Sequence, residues 1–526
     1  MTGPKPTLTN IVEKIAYVDD PLALYQRLQQ NDRESVLLES AEIDSKADLK
    51  SLLLTDCALK IICQERDVHF QALSDNGQQI ISVLSEHFLP ALITQSSSRQ
   101  LSLHFEQPDP DLDEDSRLKA LSPVSALREL IQLYGPLTDH PEGLFLGGAF
   151  SFDFIASFEE LIDVQPSNNI LPDFQFYLAE TLLHLDHQNK TAEVIGSLFS
   201  EHPEYRLTLN HRIKQLQQIC QEDIKIHATP IENYQSHITT DMSDKEFCGC
   251  VSQLKESIIN GDIFQVVPSR GFYLDCPQPL AAYRELKKTN PSPYMFYLHD
   301  PKFSIFGASP ESAIKYTPEN RQVEIYPIAG TRKRGFNSDG SINLDLDGRL
   351  ELELRLDKKE IAEHLMLVDL ARNDVARISE PGTRHVSDLL KVDRYSHVMH
   401  LVSRVIGTLR HDLDALNAYQ ASMNMGTLTG APKISAAQLL RKHEGKRRGS
   451  YGGAIGYLTG NGTMDTCILI RSAFVRNDVA QVQAGGGVVF DSIPQAEADE
   501  SRNKAAAVLN AIALAHGSTL AEVSRG

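Results

Sequence analysis

Residues 450–490 read SYGGAIGYLTGNGTMDTCILIRSAFVRNDVAQVQAGGGVVF and contain three strand-like runs separated by short polar turns. The runs are rich in β-branched and aliphatic residues, and glycines punctuate them. Similar runs occur earlier, at 303–312 (FSIFGASPES) and 322–332 (QVEIYPIAGTR). The sequence therefore predicts a body made largely of β-strands over its second half.

Two helical stretches interrupt these strands: KKEIAEHLMLVDLARND at 358–374 and EADESRNKAAAVLNAIALAHG at 497–517. Before the second, Ser492 and Gln495 have the spacing of a capping box, with Pro494 in the first turn. A third helix is predicted from residue 244 to Gly261, and it leads into the strand IFQVVPSR.

The first half of the chain alternates short apolar runs with polar turns. VLLES (36–40) and LKIICQ (59–64) are predicted strands. The acidic stretch 107–117 is predicted to be a solvated loop, and 227–240 a linker. We therefore expect an N-terminal lobe over residues 1–240 and a second, catalytic lobe over residues 241–526.

Length, composition and charge limit the class of protein. A chain of 526 residues exceeds one ordinary core. The net charge of −19 argues against nucleic acid as a partner, because phosphate binding needs a basic face. The sequence contains neither a signal-like start nor an apolar run of membrane-spanning length, so a cytoplasmic protein without a membrane partner is expected. An anionic substrate would need a metal ion or local cations.

Each of the two long helices presents a Glu-x-x-Glu pair, Glu360 with Glu363 and Glu497 with Glu500. Residues three apart share a helix face, so each pair offers two carboxylates to one point. Four carboxylates would suit Mg²⁺, which prefers oxygen ligands. Glutamates at this spacing more often form a solvated face, but the apolar run after Glu363 and the cation Lys504 after Glu500 favour a site.

Several long motifs resemble the chorismate-utilising enzyme family: PIAGTRKRG (327–335), DKKEIAEHLMLVDLARND (357–374), HVMHLVS (397–403), GTLTGAPK (426–433) and AGGGVV (484–489). The resemblance covers roughly residues 245–515. It implies an α/β fold in which large antiparallel sheets pack as a two-lobed sandwich with helices outside.

Two positions distinguish the branches of this family. Isochorismate and salicylate synthases carry a water-activating Lys where this chain has Gln265, and aminodeoxychorismate synthase carries a nucleophilic Lys where it has Ala329. Neither Gln nor Ala can serve as base or nucleophile. The chain is thus similar to the anthranilate synthase branch, which uses ammonia and releases anthranilate and pyruvate at the start of tryptophan biosynthesis.

The resemblance also implies roles for individual residues. Glu363 and Glu500 would hold Mg²⁺, supported by Glu360 and Glu497. Glu311 would be the general acid and His400 the base for the C2 proton, with Gln265 in the same catalytic set. Contacts to substrate would come from the following residues: Gly330, Thr331, Thr429, Tyr451, Arg471, Gly485, Gly486, Gly487 and Lys504.

The same resemblance implies feedback inhibition by tryptophan. LLES (37–40) and SPYM (292–295) are similar to the inhibitor site of the family. The predicted inhibitor residues are Leu38, Glu39, Ser40, Lys50, Pro293, Tyr294, Met295 and Cys467.

No cysteine of the chain has the flanking glycines of a glutaminase nucleophile. The family resemblance therefore implies a separate glutamine amidotransferase subunit (component II), in a heterotetramer. Two alternatives remain open: an enzyme that stops at aminodeoxyisochorismate, and a catalytically degenerate regulatory protein that binds tryptophan.

Overall fold

The structure is a computed structural model that describes residues 5–30, 32–40, 49–109, 111–222, 224, 236–395 and 398–525. Its helices are α1 Pro21–Leu28, α2 Asp75–His87, α3 Glu114–Lys119, α4 Val124–Tyr134, α5 Pro203–Gln221, α6 Asp244–Ile259, α7 Pro279–Thr289, α8 Leu344–Leu356, α9 Lys358–Ala376, α10 Ala415–Ser422, α11 Lys433–Glu444 and α12 Pro494–Ala515. Short 3-10 helices cover Pro90–Leu92, Gly135–Leu137 and Phe152–Ser157.

The strands of the first half are β1 Thr9–Ile15, β2 Ser35–Glu39, β3 Lys50–Gln64, β4 Asp67–Ala72, β5 Ile93–Ser96, β6 Gln100–His104, β7 Phe145–Phe150, β8 Phe174–Asp186, β9 Thr191–Leu198 and β10 His237–Thr240. Those of the second half are β11 Gln265–Val266, β12 Ser269–Asp275, β13 Tyr294–Asp300, β14 Phe303–Ser309, β15 Ser312–Thr317, β16 Gln322–Ile325, β17 Ile328–Lys333, β18 His385–Arg394, β19 Val398–Thr408, β20 Gly430–Ala431, β21 Ala454–Thr459, β22 Met464–Ile468, β23 Ser472–Arg476, β24 Val479–Gly485 and β25 Ser524–Arg525.

Two large antiparallel sheets share the long strands β3 and β8. The pairing of β3 with β8 shifts register between Leu54 and Leu59. Irregularities of this kind let a strand bend and pass from one sheet to another. Before this point β3 pairs with β2, and after it with β4.

The first sheet continues from β2 through β13, β14, β23 and β24 to β12. The second continues from β8 through β7, β21, β22, β15 and β16 to β19, which also pairs with β17 and β18.

An apolar core fills the space between the sheets, with Leu52, Phe145, Tyr177, Phe296 and Ile455 among its members. Helices α1, α5, α7 and α12 cover the outer face of the first sheet. Helices α2, α4, α9 and α10 cover that of the second. This layering confirms the predicted sandwich of antiparallel sheets with outer helices.

Strands on the two sides of residue 240 pair with one another. β2 pairs with β13, and β7 pairs with β21. The division into lobes at residue 240 therefore stays a prediction. Most of the expected linker, residues 227–235, lies outside the described residues, and its end forms β10, which pairs with β12.

Two local expectations were wrong. The acidic stretch 107–117 is not wholly a loop, because Asp113 caps α3 by accepting a hydrogen bond from Ser116 N (3.0 Å). Ser492 does not form a capping box: α12 begins at Pro494 with Ile493 as N-cap, and the Ser492 hydroxyl donates to Glu497 instead (2.8 Å). Within the described part of the chain, no helix combines the length and apolarity needed to cross a membrane.

Candidate active site

Helices α9 and α12 bring their glutamate pairs to one place. Glu363 is influenced by the charges of Glu360, Glu497 and Glu500, which shows that the four carboxylates share a site. Burial raises the pKa of Glu363, and these three like charges raise it further, although Lys359 opposes the shift. Burial likewise raises the pKa of Glu497, which also feels Glu500. Crowded carboxylates that resist ionising are what a cation would stabilise.

Two of the four carboxylates, those of Glu360 and Glu497, form hydrogen bonds or ion pairs with neighbouring side chains. Asp357 caps α9, and Arg332 joins it (2.7 Å) to Glu360 (3.2 Å). Ser492 donates to one oxygen of Glu497. The other oxygen of Glu497, Oε2, is buried and has no hydrogen-bond partner among the described residues.

The chemistry of this donor set fits a divalent cation. Glu363 Oε1 is also buried without a hydrogen-bond partner in the described part of the chain, and the nearest cation, Lys359, lies 3.6 Å away. Unsatisfied buried carboxylate oxygens cost free energy unless a ligand satisfies them. Glu363, Glu497, Glu500 and Glu360 therefore could hold Mg²⁺, a hard cation with oxygen ligands.

The glycine run after β24 leaves room for these carboxylates. A Cβ on Gly486 would lie 2.5 Å from Glu497 Oε2. One on Gly487 would lie 2.5 Å from Gln265 Nε2, and one on Gly485 would lie 2.0 Å from Pro268 O. Any side chain at these positions would therefore displace the carboxylate, the amide or the neighbouring strand.

Cations stand next to the carboxylates. The Lys504 ammonium donates to Gly485 O (3.0 Å) and pairs with Glu500 (2.7 Å). Arg471 donates to the carbonyl of Lys504 (2.8 Å), and its backbone has the unusual φ of 49°. Burial lowers the pKa of Arg471, while Tyr451 and Glu500 oppose this, so both lie near the guanidinium. This group can bind carboxylates.

Tyr451 lies against this cationic group. Burial raises the pKa of its phenol to about 12, although Arg448 and Arg471 oppose the shift, so the hydroxyl stays protonated at neutral pH. The backbone of Gly485 also forms a hydrogen bond to Tyr451. The phenol is thus available as a hydrogen-bond donor beside Arg471.

Glu311 lies just after β14 and is buried. Burial raises the pKa of its carboxyl to about 8, with Thr427 and Lys504 opposing the shift. A carboxyl with this pKa is protonated at neutral pH, as a general acid must be. Lys504 therefore links Glu311 electrostatically to the glutamate site.

His400 lies on β19, opposite Thr331 of β17. Its Nδ1 lies 2.9 Å from the Thr331 hydroxyl. Burial lowers the pKa of His400 to about 4, and the charge of Arg471 lowers it further, while a hydrogen bond to the Gly330 backbone opposes this. The imidazole is therefore neutral at physiological pH and can accept a proton.

The remaining predicted residues line the same region. Gly330 has a φ of 74°, and a Cβ there would lie 3.2 Å from Glu360 Oε2. Gln265 is buried in β11, and its Oε1 has no hydrogen-bond partner among the described residues. Thr429 is fully buried, and its hydroxyl donates to Met425 O (3.1 Å). Thr429 thus shapes the loop by a backbone contact.

A second pocket, between the sheets, contains seven of the eight predicted inhibitor residues. Its lining includes Leu38, Glu39, Ser40, Lys50, Tyr294, Met295 and Cys467. Pro293 directly precedes β13 and is not part of that lining. The structure also adds Tyr457 and Asp465 to it. The motifs quoted from the two halves of the sequence thus meet in space.

This pocket has a cation and a carboxylate. Lys50 lies 3.3 Å from Glu142 and over the ring of Tyr457. Although burial opposes it, Tyr457 and Glu142 hold the pKa of Lys50 above its usual value. Asp465 Oδ1 accepts a hydrogen bond from the Tyr294 hydroxyl (3.1 Å). One cation and one carboxylate are what an α-amino acid needs.

Three residues of the active site were missed by the sequence reasoning. Lys359 lies four positions before Glu363 on the same helix face, so helical spacing could have identified it. Thr427, beside Glu311, lies in the GTLTGAPK motif, in which the sequence prediction named Thr429 instead. Arg448 gave no sequence signal; it is buried, donates to Leu428 O (2.8 Å) and Val267 O (2.6 Å), and pairs with Glu444.

The sequence model of the chorismate binding enzyme family matches residues 85–510. The chain belongs to the chorismate-binding enzyme family. The match begins well before residue 245, so the family region extends into the N-terminal half. As predicted, the chain is an enzyme of the chorismate-using kind.

Named relatives agree over nearly the full length. The chain is 56% identical to anthranilate synthase component 1 of Vibrio cholerae, covering 96% of each chain. It is 54% identical to the Escherichia coli K12 protein of that name, covering 98% of this chain and 99% of that one.

Solved structures show the same fold. Anthranilate synthase component I from Streptococcus pneumoniae has a TM-score of 0.68 and 29% identity, covering 94% of this chain and 99% of that one. The menaquinone-specific isochorismate synthase from Escherichia coli has a TM-score of 0.66 at 16% identity, covering 97% and 96%, which speaks to the fold alone.

Proposed function

We propose that this chain is the synthase subunit of a cytoplasmic anthranilate synthase, a lyase that converts chorismate and ammonia to anthranilate and pyruvate. The observation that carries the proposal is the pairing of a protonated acid, Glu311, with a neutral base, His400, around one group of cations. The names of the relatives support it, as does the absence of lysine at positions 265 and 329.

Substrate binding follows from the charges of the site. Arg471 and Tyr451 bind the enolpyruvyl carboxylate, and the guanidinium of Arg471 does so by two parallel hydrogen bonds. Lys504 and the backbone of Gly485 to Gly487 steady the ring carboxylate. Glu363 and Glu500, with Glu360 and Glu497 behind them, would hold Mg²⁺, which when bound would supply positive charge beside that carboxylate.

The chemistry then needs one acid and one base. Glu311 donates its proton to the departing 4-hydroxyl, which leaves as water while ammonia adds at C2. His400 next removes the C2 proton as the ring C–O bond to the enolpyruvyl group breaks, and the ring becomes aromatic. The group leaves as the enolate of pyruvate, which takes up a proton on its methylene carbon to become pyruvate, so that the proton held by His400 balances the step. The pKa of each group, about 8 and about 4, leaves it in the required state at neutral pH.

We also propose that the pocket between the sheets is a feedback site for tryptophan. Lys50 would bind the carboxylate of the amino acid and Asp465 its ammonium group. The apolar Leu38 and Phe296 line the same pocket and would contact the indole.

The nearest alternative is an enzyme that stops at aminodeoxyisochorismate, and His400 is the observation that disfavours it. Chromatography of the products formed from chorismate, ammonium and Mg²⁺ tests the proposal. The wild-type chain should release anthranilate and pyruvate in equal amounts, and His400→Ala should accumulate aminodeoxyisochorismate. Accumulation of that intermediate by the wild-type chain would overturn the assignment.

A further inference from the structure

A second group of metal-ligating side chains contains none of the residues of the glutamate site on α9 and α12. Glu142 precedes β7, His184 lies on β8 and Glu193 lies on β9. One ligand atom from each residue, a ring nitrogen or a carboxylate oxygen, lies within 4.8 Å of the other two. His184 and Glu193 are directly opposite each other in the antiparallel pairing of β8 with β9, so the sheet itself brings them together.

The spacing of these ligand atoms suits a small divalent ion. His184 Nδ1 lies 2.8 Å from Glu142 Oε2 and 3.8 Å from Glu193 Oε1. Ligand atoms that surround one Zn²⁺ tetrahedrally at about 2 Å are roughly 3.4 Å from one another. The two observed distances lie on either side of that value. A metal ion would therefore require only small movements of these side chains.

One of the carboxylate oxygens is buried without being satisfied. Glu142 is 8% exposed, and its Oε2 has no hydrogen-bond partner among the described residues. The nearby His184 Nδ1 forms an ion-pair contact with this oxygen, but the angle is unsuited to a hydrogen bond. Such an oxygen costs free energy unless a ligand satisfies it. A metal ion held between the ring nitrogen and the oxygen would do so.

Neighbouring groups orient both glutamates. His140 Nδ1 accepts a hydrogen bond from the backbone N–H of Glu142 (3.2 Å), which leaves the proton of the neutral ring on Nε2. That Nε2 lies 3.3 Å from Glu193 Oε1. Lys50 donates to the other oxygen of Glu142, Oε1 (3.3 Å). Carboxylates that bind a metal are commonly oriented by such partners, so His140 and Lys50 are supports of the site rather than ligands.

We propose that Glu142, His184 and Glu193 bind a divalent transition-metal ion of the Zn²⁺ class, at a site separate from that of Mg²⁺. Imidazole nitrogen suits Zn²⁺, whereas Mg²⁺ prefers an all-oxygen shell and keeps several waters. Three protein ligands leave a fourth position for water. None of the three ligands belongs to the proposed catalytic or substrate-binding residues, so the ion would take no part in the reaction.

The site adjoins the pocket between the sheets through Lys50. Lys50 lines that pocket and pairs with Glu142. A metal ion on Glu142 Oε2 would weaken the hold of this carboxylate on the Lys50 ammonium, which would then attract the carboxylate of an amino acid more strongly. This consequence rests on the proposed feedback function. Coupling between two ligands is reciprocal, so tryptophan should tighten metal binding by the factor by which the metal tightens tryptophan binding.

The test uses Co²⁺, which replaces Zn²⁺ in sites with imidazole and carboxylate ligands and whose visible absorption changes when these ligands bind it. The purified full chain is titrated with Co²⁺ in the presence of excess Mg²⁺, which occupies the glutamate site. We expect one Co²⁺ per chain, displaced by Zn²⁺. In His184→Gln and in Glu193→Gln, Co²⁺ should bind roughly tenfold or more weakly.

His104 supplies a matched control. Its Nδ1 also lies 2.8 Å from a carboxylate oxygen, that of Asp67, but both side chains are 49% exposed, and no third ligand joins them among the described residues. His104→Gln should therefore bind Co²⁺ as the wild-type chain does. Anthranilate formation with ammonium should be unchanged in all three variants. That activity reports on their fold and on the proposed function, whereas the Co²⁺ titration reports on the metal site alone.

Three results would overturn the proposal. Absence of Co²⁺ binding would show that a protonated His184 merely forms ion pairs with the two glutamates. Equal binding by the wild-type chain, His184→Gln and Glu193→Gln would place the ion elsewhere, and an equal loss in His104→Gln would indicate unspecific binding. The coupling has its own measurement, calorimetry of tryptophan with and without Zn²⁺. An unchanged tryptophan affinity would refute the link through Lys50 and leave the metal site in place.

Discussion

At the scale of single residues, the environment of each titratable group matches its proposed role. Glu311 and His400 are both buried. Burial raises the pKa of Glu311 and lowers that of His400, so that the neutral form of each is favoured. For a carboxyl group the neutral form is an acid, and for an imidazole it is a base. One physical cause, desolvation, thus supplies both partners of the reaction.

The pKa of Glu311 gives a pH dependence. Because the protonated form is required and the pKa is about 8, kcat/KM for chorismate should fall as pH rises through about 8. The measurement uses saturating ammonia at each pH, so that ionisation of ammonium does not contribute. A value of kcat/KM that stays level up to pH 9.5 would show that Glu311 is not the acid.

The carboxylate site predicts the effect of removing a charge. Glu363→Gln or Glu500→Gln should lower turnover by roughly a hundredfold or more, because each would remove a charged ligand of the proposed Mg²⁺ site. Calorimetry should show weaker Mg²⁺ binding in both variants. Glu319→Gln, at an exposed position, is the control.

The substitution Glu363→Gln also makes a prediction about thermal stability. Burial raises the pKa of Glu363 and the neighbouring like charges raise it further, so without Mg²⁺ the neutral amide of Glu363→Gln should not lower the thermal midpoint of unfolding. Full turnover with unaltered Mg²⁺ binding in Glu363→Gln and Glu500→Gln would remove these residues from the metal site.

Among individual residues, sequence reasoning found those that follow from local spacing. The glutamate pairs of α9 and α12 followed from the helical repeat, whereas Arg471 and His400 came only from the family resemblance. The Ser492 prediction failed because the hydroxyl bonds Glu497 rather than the end of the helix. A capping box does exist at Ser243 and Glu246 of α6, with the same spacing signal.

At the scale of elements, strands connect the two pockets. In the pairing of β13 with β14, Tyr294 lies opposite Ser309, two residues before Glu311. Cys467 lies in β22, four residues before Arg471. A ligand bound in the pocket between the sheets would therefore contact strands that continue directly into the proposed catalytic residues. That continuity would supply a physical route for the proposed inhibition, which requires coupling between two distinct sites.

The two faces of β2 have different neighbours. The Glu39 carboxylate accepts hydrogen bonds from Tyr283 (2.6 Å) and Lys287 (2.5 Å) of α7, on the outer side of the sheet. Leu38 packs between the sheets. The pairing of β2 with β13, across more than 250 residues of sequence, could not be derived from spacing, because nothing local specifies which distant strands meet.

This pairing makes a prediction about feedback. Ser40→Leu and Met295→Ala should weaken inhibition by tryptophan roughly tenfold while leaving the uninhibited rate nearly unchanged, since neither residue touches the catalytic set. Tryptophan binding is measured by calorimetry and inhibition by initial rates. Unaltered tryptophan binding in both variants would rule out this site.

At the scale of the whole molecule, the sandwich explains how an acidic chain binds a dianion. The net charge is −19, yet Lys359, Arg471 and Lys504 lie beside the glutamate pairs of α9 and α12. The predicted fold class is confirmed. It could be predicted because strand-like runs and amphipathic helices leave strong signals in the sequence. The sharing of β3 and β8 between the sheets was not foreseen, since it depends on bulges that spacing does not reveal.

We expect a division of labour between this chain and a separate amidotransferase subunit, because the chain has no glutaminase cysteine motif and free ammonia is scarce at neutral pH. The most direct measurement is anthranilate fluorescence after the purified chain is mixed with chorismate and Mg²⁺, with either ammonium at alkaline pH or glutamine. We expect fluorescence with ammonium, and with glutamine only after the amidotransferase subunit is added. No anthranilate with ammonium would contradict the proposed function, and anthranilate from glutamine with the chain alone would contradict the division of labour.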